Sequence, residues 1–215
     1  MEGTRKNMWR SAVLLSLFAL TGTGLVAYTF ELTKEQIAAS ERAAIIRTLH
    51  SIIDAGTHDN DIFADTIEIT DSRFLGSFKP VTAYRARRNN SPVAAVLTVF
   101  APDGYGGAIK MLVGITVAGD LTGVRILQHR ETPGLGDAIE AEKSTWIETF
   151  KGKNLQQPDK NRWKVKKDGG YFDQFTGATI TPRAVVRATH NALLYFKDHR
   201  DLIFSRPETL QEQSP

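Results

Sequence analysis

A short segment near the C-terminus combines hydroxyl groups and small residues in a way that suits a phosphate or another anion. It is Asp-Gln-Phe-Thr-Gly-Ala-Thr at positions 173–179. Thr181 is a good N-cap and Pro182 suits the first helical position, so a helix is predicted directly after the segment. The free backbone N–H groups at a helix start favour phosphate. These residues alone predict an anion site beside the Thr179 hydroxyl; a plain strand-to-helix turn is the alternative.

A second candidate segment is Glu-Thr-Pro-Gly-Leu-Gly-Asp at positions 131–137. Its two glycines, two residues apart, allow a close approach of the backbone, and Pro133 holds the residue before it extended. Asp137 is predicted to cap a helix over Ala138–Phe150. A tight strand-to-helix connection with no ligand is the alternative interpretation.

Other chemistries are excluded by the residues that the chain lacks. The absence of cysteine excludes disulfides, thiol catalysis, cysteine-ligated zinc and iron–sulfur clusters. The five histidines show no H-x-x-x-H or H-E-x-x-H spacing, so no metal site is predicted. There is no P-loop, no G-x-S-x-G and no dinucleotide fingerprint.

The N-terminal part of the chain is predicted to anchor the protein in a membrane. Residues 11–30 carry no charge, and as a helix they span about 30 Å, the thickness of the bilayer core. Arg5, Lys6 and Arg10 precede this run, so the positive-inside rule places residues 1–10 in the cytoplasm and the rest of the chain outside. A cleaved signal peptide is the alternative.

The rest of the chain is predicted to be a single α+β domain on a stalk. A capping box at Thr33–Gln36 opens a stalk helix over 31–56, a domain with a mostly antiparallel sheet and flanking helices occupies 57–200, and 201–215 form a polar tail. The final helix runs from Pro182 to about His199, and a short strand lies around Trp163. The predicted strands of the sheet are Thr66–Thr70, Val81–Arg87, Val93–Phe100, Ala108–Val117 and Gly123–Gln128.

Composition and charge are those of a folded protein that does not bind nucleic acid. The chain is 41% hydrophobic and 24% charged, with a net charge of +3. Two basic clusters, Arg85–Arg88 and Lys160–Lys167, alternate charged with apolar or aromatic residues, which predicts strands with one solvated face. Docking to acidic lipid head groups or to a partner subunit is the alternative for these clusters.

The segment 173–179 resembles the flavinylation motif Asp-x-x-[Ser/Thr]-Gly-Ala-Thr of the FMN-binding domain family. The resemblance implies that a flavin transferase joins FMN, through its phosphate, to the hydroxyl of Thr179. It also implies that the transferase recognises Asp173, that Thr176 fills the Ser/Thr position, and that Gly177 and Ala178 form a backbone cradle.

The segment 131–137 resembles the E-T-P-G-L-G loop that contacts the isoalloxazine ring in the same family. The resemblance implies ring contacts for Glu131, Thr132, Leu135 and Gly136, with Lys143 on the following helix as a weaker candidate. Tyr105 and the Gly106–Gly107 pair are further candidates for lining the flavin pocket.

The order of anchor, stalk and FMN domain resembles the G-subunit family of Rnf-type (Rsx-type) ion-translocating electron-transport complexes. A related family, the C subunits of the sodium-translocating NADH:quinone reductase, is the nearest alternative. The resemblance implies a bacterial inner-membrane protein with a periplasmic domain, which relays electrons within a multi-subunit translocase and has no substrate of its own. A structural or assembly protein without a cofactor and a free-standing flavin reductase are the other hypotheses.

Overall fold

The computed structural model describes the backbone of residues 2–205 and the side chains of residues 6–205. The chain divides into two compact units, Met1–Ile46 and Arg47–Pro215. Two expectations lie outside the described residues, the polar tail from Arg206 onward and the contribution of the Arg5 side chain to membrane topology. The α+β fold class is confirmed by one long N-terminal helix, an antiparallel sheet and a C-terminal helix.

Helix α1, Glu2–Ile52, is one continuous helix of 51 residues. It contains a stretch long and apolar enough to cross a membrane, with none of that stretch buried within the protein. The prediction that a capping box at Thr33–Gln36 opens the stalk helix is wrong, because no helix begins there. Thr33 lies inside α1, and its hydroxyl donates to the carbonyl of Thr29 at 2.8 Å, one turn earlier in the same helix. A short 3-10 helix, Ala55–Thr57, follows the end of α1.

Five strands form an antiparallel sheet in which each strand pairs with the next along the chain. The predicted strands are confirmed with shifts of a few residues at their ends. The turn between the second and third strands consists of Asn89 and Asn90, both with positive φ, as the type I′ hairpin turn requires. The strands are β1 Thr66–Asp71, β2 Ser77–Arg88, β3 Ser91–Ala101, β4 Ile109–Thr116 and β5 Leu121–Gln128.

Helix α2, Ile180–Phe204, covers one face of this sheet with its apolar side. Alternate residues of β3 and β4, such as Leu97 and Met111, are fully buried in a core cluster with Val185 and Leu193 of α2. The helix is longer at both ends than predicted, with a kink at His199, the predicted end, and it continues into the expected polar tail. The sheet and this core therefore fix the position of the N-terminal end of α2.

The predicted helix over Ala138–Phe150 is wrong. The segment forms two short 3-10 helices, Gly136–Ile139 and Trp146–Phe150. Between them the hydroxyl of Ser144 donates to the Ala138 carbonyl at 2.6 Å and accepts the Trp146 N–H at 3.1 Å. A serine that bonds the backbone on both sides competes with a regular helix. Asp137 accordingly lies inside the first 3-10 helix and does not cap an α-helix.

The basic cluster Lys160–Lys167 is not a strand with a solvated face. It contains the 3-10 helix Lys160–Arg162 and begins another, Lys166–Asp168. The only strand-like pairing within it is a single parallel bridge from Val165 to Phe172, among the residues that the structure describes.

The cluster Arg85–Arg88 lies on a strand, but the prediction of a solvated face is wrong for Arg85 and Arg87. Both are buried, and they share the carboxylate of Asp65: Arg85 donates to Oδ1 at 2.5 Å and Arg87 to Oδ2 at 2.9 Å. Arg85 also donates to the carbonyl of Ser205 at 2.8 Å, and Arg87 to that of Phe204 at 3.1 Å. These two arginines therefore satisfy carbonyl groups at the C-terminal end of α2.

Candidate cofactor-binding site

A cavity of about 360 Å³ lies at the N-terminal end of α2, where the two candidate segments meet. We call residues 131–137 the glycine loop and residues 173–179 the threonine turn. The volume falls in the range of about 300–1,000 Å³ that is typical of small-molecule sites. The lining residues are Tyr105, Glu131, Thr132, Leu135, Gly136, Gly177, Ala178, Thr179, Ile180 and Thr181.

Thr179 occupies the position before the first residue of α2, and its side chain makes no capping hydrogen bond. The residue is half-buried at the cavity wall. The first turn of a helix leaves backbone N–H groups without partners inside the helix, and the helix dipole makes this end positive. The cavity therefore combines an uncommitted hydroxyl with an environment that attracts an anion.

The prediction that Thr181 is the N-cap is wrong. Thr181 lies within the first turn of α2, is 1% exposed, and donates its hydroxyl to Oε2 of Glu131. The Thr181 hydroxyl donates its hydrogen bond to the neighbouring Glu131 carboxylate and does not cap the helix backbone. Thr181 thus connects α2 to the glycine loop.

The threonine turn brings bare backbone to the cavity. The N–H of Ala178 donates to the carbonyl of Phe175 at 3.2 Å, and Gly177 between them has φ of +83°. A positive φ at this position of a turn favours glycine. A side chain on Gly177 would also approach Leu135 of the glycine loop, because a Cβ placed there lies 3.4 Å from Leu135 Cδ2.

Glu131 is buried and ties the glycine loop to two other elements. Its Oε1 accepts the N–H of Gly106 at 3.0 Å, and its Oε2 accepts the Thr181 hydroxyl. Gly136 packs against this pair so closely that a Cβ there would lie 2.8 Å from Glu131 Oε2 and 2.9 Å from Thr181 Oγ1. Both oxygens of Glu131 are therefore engaged in holding the cavity wall together.

Large apolar side chains remain exposed around the cavity. Tyr105 is 71% exposed, Ile180 46% and Leu135 43%, although most large apolar residues of the compact unit that contains the sheet are buried. An apolar ring seated in the cavity would cover such surface. Sequence reasoning named Tyr105 and Leu135 but missed Ile180. The signal for Ile180 was its position between Thr179 and Thr181, where an apolar side chain at a helix start need not face the core.

Five of the predicted site residues do not line the cavity: the Gly106–Gly107 pair, Thr176, Lys143 and Asp173. Thr176 is exposed on the threonine turn. Lys143 is exposed, with its Nζ 3.7 Å from the carboxylate of Asp137. Asp173 is also exposed, and its carboxylate lies 2.6 Å from the Nζ of Lys166. The carbonyl of Asp173 accepts the indole N–H of buried Trp146 at 2.8 Å, which fixes the start of the threonine turn.

The positive character of the cavity comes from the helix end and not from basic side chains. Among the described residues that line the cavity, none is lysine or arginine. Arg183, in the first turn of α2, pairs with Asp168 at 2.6 Å. The hydrogen bond from Arg183 holds the pKa of Asp168 below its usual value, and the positive charges of Lys164 and Lys167 lower it further. Arg183 is thus already paired with an acid outside the cavity.

Comparison with known proteins identifies both parts of the chain. Residues 104–194 match the FMN-binding domain family, and residues 1–52 match the RnfG N-terminal region. The chain is 48% identical over 207 residues to the G subunit of the ion-translocating oxidoreductase complex of Shewanella piezotolerans, covering 96% of this chain and 98% of the relative. It is 48% identical over 205 residues to the protein of that name in Pseudomonas aeruginosa, covering 95% and 96%. The chain therefore belongs to the family of G subunits of ion-translocating oxidoreductase complexes, within which its residues 104–194 form an FMN-binding domain.

Proposed function

We propose that this protein is the flavoprotein component of a membrane-bound ion-translocating oxidoreductase, and that it carries FMN on the hydroxyl of Thr179. The observation that carries the proposal is the meeting of the threonine turn and the glycine loop in one cavity at the start of α2. Family membership supports the complex and the FMN domain. No comparable observation favours the alternative hypothesis, an assembly protein without a cofactor.

The residues around the cavity fit the parts of FMN. Thr179 offers an uncapped hydroxyl for a phosphoester, and the N–H groups of the first turn of α2 can stabilise the phosphate charge. Gly177 and Gly136 keep the backbone free of side chains where the two walls approach each other. Leu135, Ile180 and Tyr105 offer apolar surface for an aromatic ring.

The protein contributes attachment and orientation to the reaction of the complex. When bound, FMN supplies the one- and two-electron chemistry that no side chain of this protein can supply. The helix end and Thr179 hold one end of the group, and the glycine loop bounds the other. The exposed rim formed by Tyr105, Leu135 and Ile180 leaves the cavity accessible from outside. We expect electrons to pass between this site and other subunits of the complex, without a separate substrate here.

Denaturing electrophoresis under ultraviolet light tests the attachment. The full chain should be produced together with its flavin transferase, which we expect to recognise the exposed Asp173. A fluorescent band after denaturation reports covalent flavin, and Thr179→Ala should abolish it. Thr145→Ala is the control, because Thr145 is an exposed threonine without a side-chain capping bond that lies outside both candidate segments and does not line the cavity. A non-fluorescent wild-type band would favour the cofactor-free alternative.

The proposed location is the bacterial inner membrane, with the N-terminus in the cytoplasm and the FMN domain in the periplasm. The apolar part of α1 supports a membrane anchor, and Lys6 and Arg10 before residues 11–30 support the orientation. A reporter active only in the periplasm, fused after Pro215, should be active. Digestion of the FMN domain by protease added to inverted membrane vesicles would contradict this orientation.

A further inference from the structure

His129, two residues before the glycine loop, makes a hydrogen bond with each nitrogen of its ring. The backbone N–H of Glu131 donates to Nδ1 at 3.0 Å, and Nε2 lies 2.9 Å from Oε1 of Glu140. The side chain is 15% exposed and does not line the cavity. Neither candidate segment includes this residue.

The contacts define which ring nitrogen carries the proton. A backbone N–H can only donate, so Nδ1 must accept and therefore carries no proton. The remaining ring proton lies on Nε2, which donates to the carboxylate of Glu140. Glu140 thus orients the ring of His129, and the ring holds the backbone of Glu131.

The position of the Glu131 backbone matters because its carboxylate spans the cavity wall. From this one side chain, hydrogen bonds run to the Gly106 N–H and to the Thr181 hydroxyl in α2. A carboxylate can keep both only if its Cα stays in place. A displacement at Glu131 would therefore move the glycine loop relative to the start of α2.

We propose that His129 is a positioning residue for the FMN site, acting through Glu131 and itself oriented by Glu140. Only the expected effect of His129 on bound flavin rests on the proposed function. The hydrogen-bond chain Glu140–His129–Glu131 belongs to the protein and is testable without the cofactor.

Two substitutions separate the two contacts of the ring. The side-chain oxygen of asparagine can occupy the position of Nδ1, so His129→Asn keeps an acceptor for the Glu131 N–H. The side-chain amide of glutamine reaches the position of Nε2, so His129→Gln keeps the contact with Glu140 and loses the acceptor. His129→Ala loses both, and His50→Ala is the control at an exposed histidine of α1.

The first measurement is amide hydrogen exchange at Glu131 by NMR, on the full flavin-free chain in detergent. We expect exchange roughly two- to tenfold faster in the Gln and Ala variants, the range that corresponds to one lost hydrogen bond. The Asn and His50→Ala variants should match the wild type. Exchange in strand β3 serves as the check that each variant is folded. Wild-type exchange in the Gln variant, or an Asn variant as fast as Ala, would overturn the proposal.

The second measurement is the absorption spectrum of the flavin-loaded chain. The Gln and Ala variants should shift the flavin bands, and the Asn variant should restore the wild-type spectrum. A spectrum unchanged in all three variants would overturn the claim that His129 positions the FMN site. Failure of the proposed function looks different, because the wild-type chain would then carry no flavin while the exchange rates still followed the predicted order.

Discussion

The two ends of helix α2 are built in opposite ways. At the C-terminal end, buried Arg85 and Arg87 reach across from β2 and donate to the carbonyls of Ser205 and Phe204. At the N-terminal end, Thr179 makes no capping bond, and a cavity opens onto the first turn. Cations at one end and an anion at the other would both complement the helix dipole. The protein supplies its own partner at the first end, and we propose that the FMN phosphate is the partner at the second.

This difference separates residues that stabilise the fold from those that form the site. The ion cluster of Asp65 with Arg85 and Arg87 joins β2 to the end of α2. The two buried guanidinium groups are compensated by the Asp65 carboxylate. The threonine turn and glycine loop are more exposed, and the hydrogen bond from Thr181 to buried Glu131 joins the glycine loop to α2. Substitutions at the C-terminal end of α2, which we call the closed end, should therefore reduce stability with little effect on bound flavin. Substitutions at the N-terminal end, which we call the open end, should affect the flavin more.

The largest effect on stability is expected at the closed end, from Asp65→Ala. Its removal leaves two buried arginines without their carboxylate, which should cost about 3–5 kcal/mol in the free energy of unfolding. Denaturant unfolding of the flavin-free chain in detergent, followed by tryptophan fluorescence, measures this. The matched control is Asp159→Ala, at an exposed aspartate without a side-chain capping bond, which should cost less than about 0.5 kcal/mol. Equal losses would contradict the closed-end account.

A smaller effect is expected from Gly136→Ala at the open end. The new Cβ would meet the Glu131 carboxylate and the Thr181 hydroxyl at under 3 Å and push the pair apart, at a cost of about 1–3 kcal/mol. Gly136→Val should cost more and shift the flavin spectrum while covalent flavin is retained. The control is Gly134→Asn in the same loop, where a Cβ meets nothing within 4 Å and asparagine tolerates the positive φ. A wild-type spectrum in Gly136→Val would mean that the glycine loop is only a connection.

The smallest effect is expected from Thr181→Val, which removes one hydroxyl and keeps the side-chain shape. Glu131 loses one of its two donors, so the cost should be about 1–2 kcal/mol, with flavin still attached to the protein. Thr189→Val is the control, because that buried hydroxyl donates only to the Val185 carbonyl within α2. If both variants unfold at the same denaturant concentration, the Glu131–Thr181 contact does not stabilise the open end.

Local patterns were sufficient to predict most of the fold. The five strands follow from alternating apolar residues, and the Asn89–Asn90 turn follows from residues that tolerate positive φ. The helix over Ala138–Phe150 was predicted with Asp137 as its cap, and the sequence does not show that Ser144 bonds the backbone on both sides. The burial of Arg85 could not be predicted because its partners lie 20 and 120 residues away, at Asp65 and Ser205.

The site divides in the same way. Seven of its residues were named from two short segments, and they line one cavity: Glu131, Thr132, Leu135, Gly136, Gly177, Ala178 and Thr179. The role of Thr181 was misread as a cap, because its real partner is 50 residues away. Ile180 was missed although its position between Thr179 and Thr181 was a signal, and the contacts of His129 were missed because they have no signal in residue type or spacing. Local chemistry can be read from a sequence, whereas the links between segments require the fold.

The central claim is that the open end of α2 carries FMN on Thr179. Its most direct test is mass mapping of the full chain made with its flavin transferase. Trypsin should release Asp168–Arg183, a peptide that contains Thr176, Thr179 and Thr181, and fragmentation distinguishes the three. The account predicts an FMN mass increment on Thr179 and none on the other two. An increment on any other residue, or an unmodified peptide, would contradict it.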